Sequence, residues 1–371
     1  MKQELVAASP RTRISGVDGM RALAAIAVFL CHLVAYWRLQ GQLPGKLTQL
    51  AALGAHGVDL FVVISGFCLA LPVARRLDLH LDVRTFFIRR STRILPPYYV
   101  ALALCAALAM APATAHKVVE EQASWADVLL HVALLQTLVP GQSGTINGSF
   151  WSIALELQLY LVFPFLVLLW RRTSMLTVVA AAAALSLLWW TSGNLDAWVF
   201  GDPHVIFDRL VQFTAGMWAA QRVARGRIPD RRRLWAGVVV GGIVAATLSS
   251  ANITFGEAIF WSIPSVCGVL LAAHRFQDQL IGLPLERLGL ISYSFYLLQQ
   301  PVLLLTADVA HALTSSPVFL LLIGCTACFA LTVVLSRAMY VAVEEPSIRW
   351  GARLTRRTPA RPGHPVTSGL G

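Results

Sequence analysis

The sequence predicts an all-α polytopic membrane protein of about ten transmembrane helices, with N- and C-termini cytosolic and one short interfacial or re-entrant helix near 127–139. Three observations carry this. Of 371 residues, 57% are apolar and 13% charged, against roughly 45–50% and about 25% in soluble domains. The apolar residues gather in runs close to the ~20 that a helix needs to cross a bilayer. The thirty basic residues divide unevenly among the segments that join those runs.

A polar lead over 1–19, containing Pro10 and Gly16, precedes the first run at 20–38. No small-residue cleavage site follows, so this run reads as a retained helix and not a signal peptide. Further runs lie at 55–74 and 95–112. The stretch 127–139 is shorter and carries Asp127 and His131, which fits an interfacial or re-entrant helix better than a span. Then come 150–170, 175–191, 204–221, 234–250, 256–274, 287–307 and 317–341. With the N-terminus inside, twenty-four of the thirty Lys and Arg fall in inner segments. Arg38, Lys46 and Lys117 fall outside, and Arg21, Arg209 and Arg337 within spans. Counting 127–139 as a span would erase that asymmetry, so the charges select ten. No long connection could hold a second globular domain. The chain therefore divides into a cytosolic lead (1–19), one transmembrane domain (20–346) and a basic, disordered cytosolic tail (347–371), richest in Arg, Pro and Gly from about Thr355.

A formal net charge of +11 would point to nucleic acid in a soluble protein. Here the basic loops set orientation instead, and no nucleic-acid partner is expected. Arginine outnumbers lysine twenty-seven to three, the mark of a GC-rich bacterial genome, which makes the inner (plasma) membrane the expected location. The six cysteines all fall in apolar stretches and read as small hydrophobes. Cys325 and Cys328 have zinc-like spacing but no second pair near them in the sequence, so neither a metal nor a disulfide framework is expected.

Ionisable groups inside spans are costly and mark candidate functional sites. His32 lies eleven residues beyond Arg21, about 16 Å up the first helix and only about 20° around it, so the two share a face. Counting at 1.5 Å per residue puts His32 and Glu156 each roughly 9 Å below the outer end of its span, and Asp59 about 6 Å below. Three ionisable groups thus converge at one level, with Asp208 and Arg209 near the same depth. Each has a structural reading beside the functional one. His32 could bond a neighbouring helix, Asp59 could cap a helix at Gly57, and Asp208 and Arg209 take a structural or acceptor-side role. On the inner face, Arg89, Arg90 and Arg93 form a forked cluster at helical spacing before Pro96-Pro97. It suits phosphates, or anionic lipid headgroups.

Six strings carry a family resemblance. They are Val17-Asp18-Gly19-Met20-Arg21 with His32 eleven residues on, Gly57-Val58-Asp59-Leu60-Phe61 through Ile64-Ser65-Gly66-Phe67, and Arg89-Arg90 to Arg93-Ile94-Leu95-Pro96-Pro97. Then come Phe150-Trp151-Ser152 through Glu156 to Tyr160, Leu288-Gly289 with Ser292-Tyr293-Ser294 and Tyr296, and Glu344-Glu345-Pro346. In this order, covering residues 17 to 346, they resemble the membrane-bound acyltransferase 3 family, which O-acylates sugars and related acceptors. One departure is Gln299-Gln300 before Pro301, where relatives often have His-Trp. The resemblance implies an acyl-CoA donor, acetyl-CoA above all, arriving from the cytosol as substrate, with no bound cofactor. Arg21 with Arg89, Arg90 and Arg93 would hold its phosphates, and its thioester would reach His32. Neutral imidazole can serve as general base, because its ordinary pKa lies near neutrality. Glu156 would orient the imidazole or bind the acceptor hydroxyl, and Asp59 is a second carboxylate partner. Trp151, Ser152, Tyr160, Asp208 and Arg209 are the acceptor-side candidates, though Trp151 and Tyr160 also suit interface anchoring. Members with a fused esterase-like domain are not expected to be the match, since the chain ends soon after its last span.

The implied acceptor is a carbohydrate or glycosylated small molecule: an envelope or exported glycan, or a macrolide-type natural product. An acyl-enzyme on Cys31, Ser65 or Ser152 is a competing route, without a base at a diagnostic spacing. A transporter or exporter of a sugar-like or lipophilic solute would also bury His, Asp, Glu and Arg. Against it stands the lack of an inverted sequence repeat. A purely structural membrane protein would leave the converging ionisable groups unexplained.

Overall fold

The computed structural model describes residues 14–111, 123–191, 206–251, 256–274 and 283–355. Helices build it, with no strand among the described residues. α1 spans Ser15–Tyr36. A helical run then extends from Gly45 to Ala74, made of α2 (Gly45–Ala52), a 3-10 turn (Leu53–His56) and α3 (Gly57–Ala74). α4 (Val83–Met110) starts where the Asp82 carboxylate accepts the Thr85 N–H at 3.0 Å, and it continues through Pro96 and Pro97. Prolines are tolerated in such helices because neighbours re-satisfy the freed backbone groups. α5 (Trp125–Val132) is two turns long, set by a Ser124–Asp127 capping box.

α6 (Trp151–Arg172), α7 (Met175–Thr191), α8 (Ile206–Ala224), α9 (Arg231–Ser250) and α10 (Glu257–His274) follow. α11 (Leu283–Leu290) meets α12 (Ser292–Leu313) at an 80° bend. α13 runs from Pro317 to Leu354 and holds two π-turns, Gly324–Cys328 and Tyr340–Glu344.

Each of the ten apolar stretches is therefore helical over most of its described residues. Among the described residues, six elements are long and apolar enough to cross a membrane: α1, the α2–α3 run, α4, α6, α9 and α13. The bent α11–α12 pair makes a seventh when it is counted as one span. α7 and α10 are apolar but shorter, and α8 carries Asp208, Arg209 and Gln212.

Several boundaries move. The second span begins at Gly45 and not at 55, because two extra turns precede it. The ninth begins at Ser292, after the bend, and not at 287. The lead is shorter than 1–19, since α1 starts at Ser15, and the tail expected from 347 begins as helix to Leu354. Residues 1–13, Lys117 and 356–371 lie outside the described residues.

The bundle relies on close backbone approach. α3 and α8 pack closely, with Gly66 against Phe213 and Gly216 against Val63; a side chain at either glycine would strike the facing carbonyl. Outward-facing Leu161, Phe165, Val240, Ile243 and Val334 are exposed, an apolar surface suited to lipid.

The connection from α5 to α6 is polar, and both its ends are buried while its middle (139–141) is exposed. Gln136, Thr137, Asn147 and Ser149 are each at most 1% exposed. Gln136 Nε2 donates to the Phe150 carbonyl (3.2 Å), Gln158 Nε2 to Thr137 Oγ1 (2.9 Å) and Asn147 Nδ2 to Cys105 Sγ (3.4 Å). The buried ends of this segment thus fold inward among α4, α6 and α12. Its hydrogen bonds let irregular backbone lie inside the bundle.

Candidate active site

A cavity opens among α1, α3, α4, α6 and α12, with about 850 Å³ of empty space, part of it open to solvent. Its polar wall gathers Arg21, Ser65, Arg90, Arg93, Ser152, Glu156, Tyr160, Tyr293 and Tyr296. Arg21 is braced on its own helix, Nη1 donating to Asp18 Oδ1 at 2.9 Å and Nη2 to Cys68 Sγ of α3 at 3.3 Å. Arg90 and Arg93 are three apart on α4 and so share a face. The Arg90 guanidinium lies 5.7 Å from the Tyr160 ring centre, a cation–π contact.

Arg93 is within electrostatic reach of Arg21, Arg90 and Glu344. Three guanidinium groups in one cavity repel one another, and buried carboxylates offset that repulsion. Glu156 accepts from Tyr160 Oη at 2.5 Å and from Ser65 Oγ at 3.5 Å. Glu344, 1% exposed, accepts from Ser294 Oγ at 2.6 Å. Arg89 does not join the cavity: it is exposed, and its Nε donates to Thr355 Oγ1 of the α13 terminus at 2.9 Å.

The expected meeting of His32, Asp59 and Glu156 at one level does not occur. No hydrogen bond joins His32 to either carboxylate among the described residues. The His32 ring packs on Tyr36 at 5.1 Å between centres, and its buried Nδ1 has no partner among the described residues. Asp59, 1% exposed, is held by an ion pair with Arg209, by Gln212 Nε2 at 2.9 Å and by His56 Nδ1 at 2.6 Å.

The physical reason lies in the helix starts. The α2–α3 run begins at Gly45, which puts Asp59 fourteen residues, about 21 Å, into it. The inward-folded connection starts α6 deep in the bundle, so Ser152 Oγ sits 2.9 Å from Tyr296 Oη near the start of α12. Glu156, one turn on, stands with Arg21 and not with His32.

Among the acceptor-side candidates, Ser152 and Tyr160 line the cavity, while Trp151 is half-buried and packs against the apolar core. Arg209 belongs to the Asp59 cluster. Asp208 lies in α8, with its side chain outside the described residues. The sequence alone gives no role to Tyr293, Tyr296 or Glu344, and offers Ser65 only as a nucleophile. Each nonetheless falls within one of the six quoted strings, and that was the signal that could have found them. Cys68 had none beyond following Phe67.

Comparison with known proteins gives a consistent picture. The profile of a family described as an acyltransferase domain matches residues 14–337. The acyltransferase MdmB of Streptomyces mycarofaciens is 29% identical over 52% of this chain and 46% of its own length. A candidate membrane-bound transacylase, BcsY, of Komagataeibacter xylinus is 28% identical over 79% of this chain and 73% of its own. The peptidoglycan O-acetyltransferase OatA of Listeria monocytogenes is 25% identical over 81% and 51%. The chain thus spans about half the length of the Streptomyces and Listeria relatives. No solved structure matches the chain.

Proposed function

The chain belongs to the acyltransferase family matched over residues 14–337, and from that premise we propose that it is an integral-membrane O-acyltransferase. It moves an acyl group, acetyl in the simplest case, from cytosolic acyl-CoA to a hydroxyl of a carbohydrate or glycosylated acceptor. The observation that carries this reading is the gathering of Arg21, Arg90 and Arg93 in one cavity within a membrane bundle. Guanidinium groups bind phosphate oxygens through paired N–H donors, and few other ligands call for three of them together.

The proposed topology has ten spans with both ends in the cytosol. The helicity of all ten stretches and the weight of basic residues on one side support it. The inner (plasma) membrane of a bacterium is the corresponding location. In this orientation the arginines hold the donor from below, and His32, about 16 Å above Arg21 on the same helix, takes the acceptor proton. A second reading has a specific observation behind it: Glu156 lines the cavity and His32 does not, so Glu156 is the alternative base. The name of the Listeria relative favours an envelope glycan as acceptor; a macrolide-type natural product is the other acceptor to test.

The decisive experiment incubates membranes containing the protein with labelled acetyl-CoA and each acceptor. Transfer is expected from the wild type and is expected to fall at least about 100-fold in His32→Ala. Full activity in His32→Ala with loss in Glu156→Gln moves the base to Glu156. Solute flux that ignores acyl-CoA, with no labelled ester formed on any acceptor, overturns the proposal.

A further inference from the structure

Gln299 is wholly buried on α12, 0% exposed, yet neither its Nε2 nor its Oε1 has a hydrogen-bond partner among the described residues. A buried amide with both ends unmet is costly and calls for an explanation. Its neighbour Gln300 shows the ordinary solution, since its Oε1 accepts from Ser149 Oγ at 3.0 Å.

Contacts on either side fix where Gln299 faces. Phe295 meets Phe29 of α1 with ring centres 5.8 Å apart, and Tyr296 meets Ser152 at the cavity wall. At about 100° per residue, Gln299 lies about 40° from Phe295 and about 60° from Tyr296, hence between α1 and the cavity. Its height follows from the same register. Phe29 pairs with Phe295, and Trp37 Nε1 donates to the Leu303 carbonyl at 2.9 Å, so Gln299 stands level with Leu33.

His32 adjoins that position. It lies about 60° from Phe29 and about 40° from Tyr36 around α1. Tyr36 Oη and the Gln300 amide both border Gly148, 3.7 and 3.4 Å from where its Cβ would stand. His32 is therefore turned toward the α12 side of α1, and its Nδ1 is the other unpartnered buried polar atom on this seam.

We propose that Gln299 is a catalytic residue of the acyl transfer: its Nε2 donates to the carbonyl oxygen of the acyl thioester beside His32. This rests on the reading of the chain as an acyltransferase with His32 as base. The acceptor oxygen bonds to the carbonyl carbon as its proton passes to His32. The carbonyl oxygen becomes an oxyanion, and Gln299 Nε2 stabilises it at the moment that charge develops. The oxyanion collapses, the C–S bond breaks with its electron pair on sulfur, and His32 returns the proton to the thiolate. Nothing is oxidised or reduced, and Gln299 itself gains and loses no proton. The Oε1 end of the same amide is left to receive a hydroxyl of the acceptor.

The test replaces the amide by apolar groups of similar size, Gln299→Met and Gln299→Leu, in the full chain. Purified variants are compared with wild type for kcat, donor KM and thermal midpoint in detergent. Both are expected to lose about 10²–10³-fold in kcat with donor KM within about twofold, as for removal of an oxyanion donor. Their midpoints are expected to match or exceed that of the wild type, because two unmet polar atoms leave the core. A kcat within about threefold of wild type in either variant overturns the proposal. So does a lowered midpoint whose loss of folded protein accounts for the lost rate. A wild type that transfers no acyl group sinks the underlying reading, whereas an active wild type with an equally active Gln299→Met sinks only the role of the amide.

Discussion

Asp59 is almost sealed from solvent and takes three donors at once, from Arg209, Gln212 and His56. A buried charge with that many partners is a fixed point of the fold, and cutting one partner away costs far more than the pair contributes net. Asp59→Asn is therefore expected to lower stability by about 3 kcal/mol, read as a fall in the detergent melting midpoint. The folded fraction is expected to keep its acyl-transfer rate, since Asp59 lies apart from the cavity lining. A sharp loss of rate at unchanged midpoint would return Asp59 to the reaction. The sequence marked Asp59, Glu156 and His32 correctly as costly groups within spans. It could not say which of them meet, because depth counted from a span's first apolar residue goes wrong when two further turns precede it or when the chain enters from within.

At the scale of the element, the helices were legible because ten stretches each approach the length a bilayer demands. The irregular features were not. The bend between α11 and α12 falls at Ile291, inside a stretch that reads as one run, and the π-turn at Gly324–Cys328 has no proline or charge to announce it, while the one at Tyr340–Glu344 is marked only by Glu344 at its end and Pro346 beyond. The inward course of 133–150 was foreshadowed only by the short apolar stretch 127–139 that leads into it, with Asp127 and His131. Close packing leaves its own trace in small residues, but the sequence does not say which glycine touches what. Gly216 abuts Val63 of α3, whereas Gly242 on α9 has nothing within 4 Å of where its Cβ would stand. Gly216→Leu is expected to destabilise by about 2 kcal/mol or more through overpacking. Gly242→Ala is expected to be neutral or to stabilise by about 0.5–1 kcal/mol through helix propensity alone. Equal melting shifts for the two variants would show that the α3–α8 contact is not closely packed.

The described residues form an apolar bundle with a polar cavity set into it, and composition alone announces the apolar part. What composition could not convey is how the interior balances its charges. Arg21 already rests on Asp18, which is 4% exposed, and Glu344 lies within electrostatic reach of both Arg21 and Arg93. A polyanion entering there would trade places with resident carboxylates beside arginines that lie mostly within the bundle. Dissolved sodium chloride should then have little say in how tightly it is held, because screening acts weakly on buried pairs. Raising the salt from about 50 to about 500 mM is expected to shift donor KM by less than about threefold. A tenfold rise would mean that the anion is captured by the basic rim and not by the arginines within.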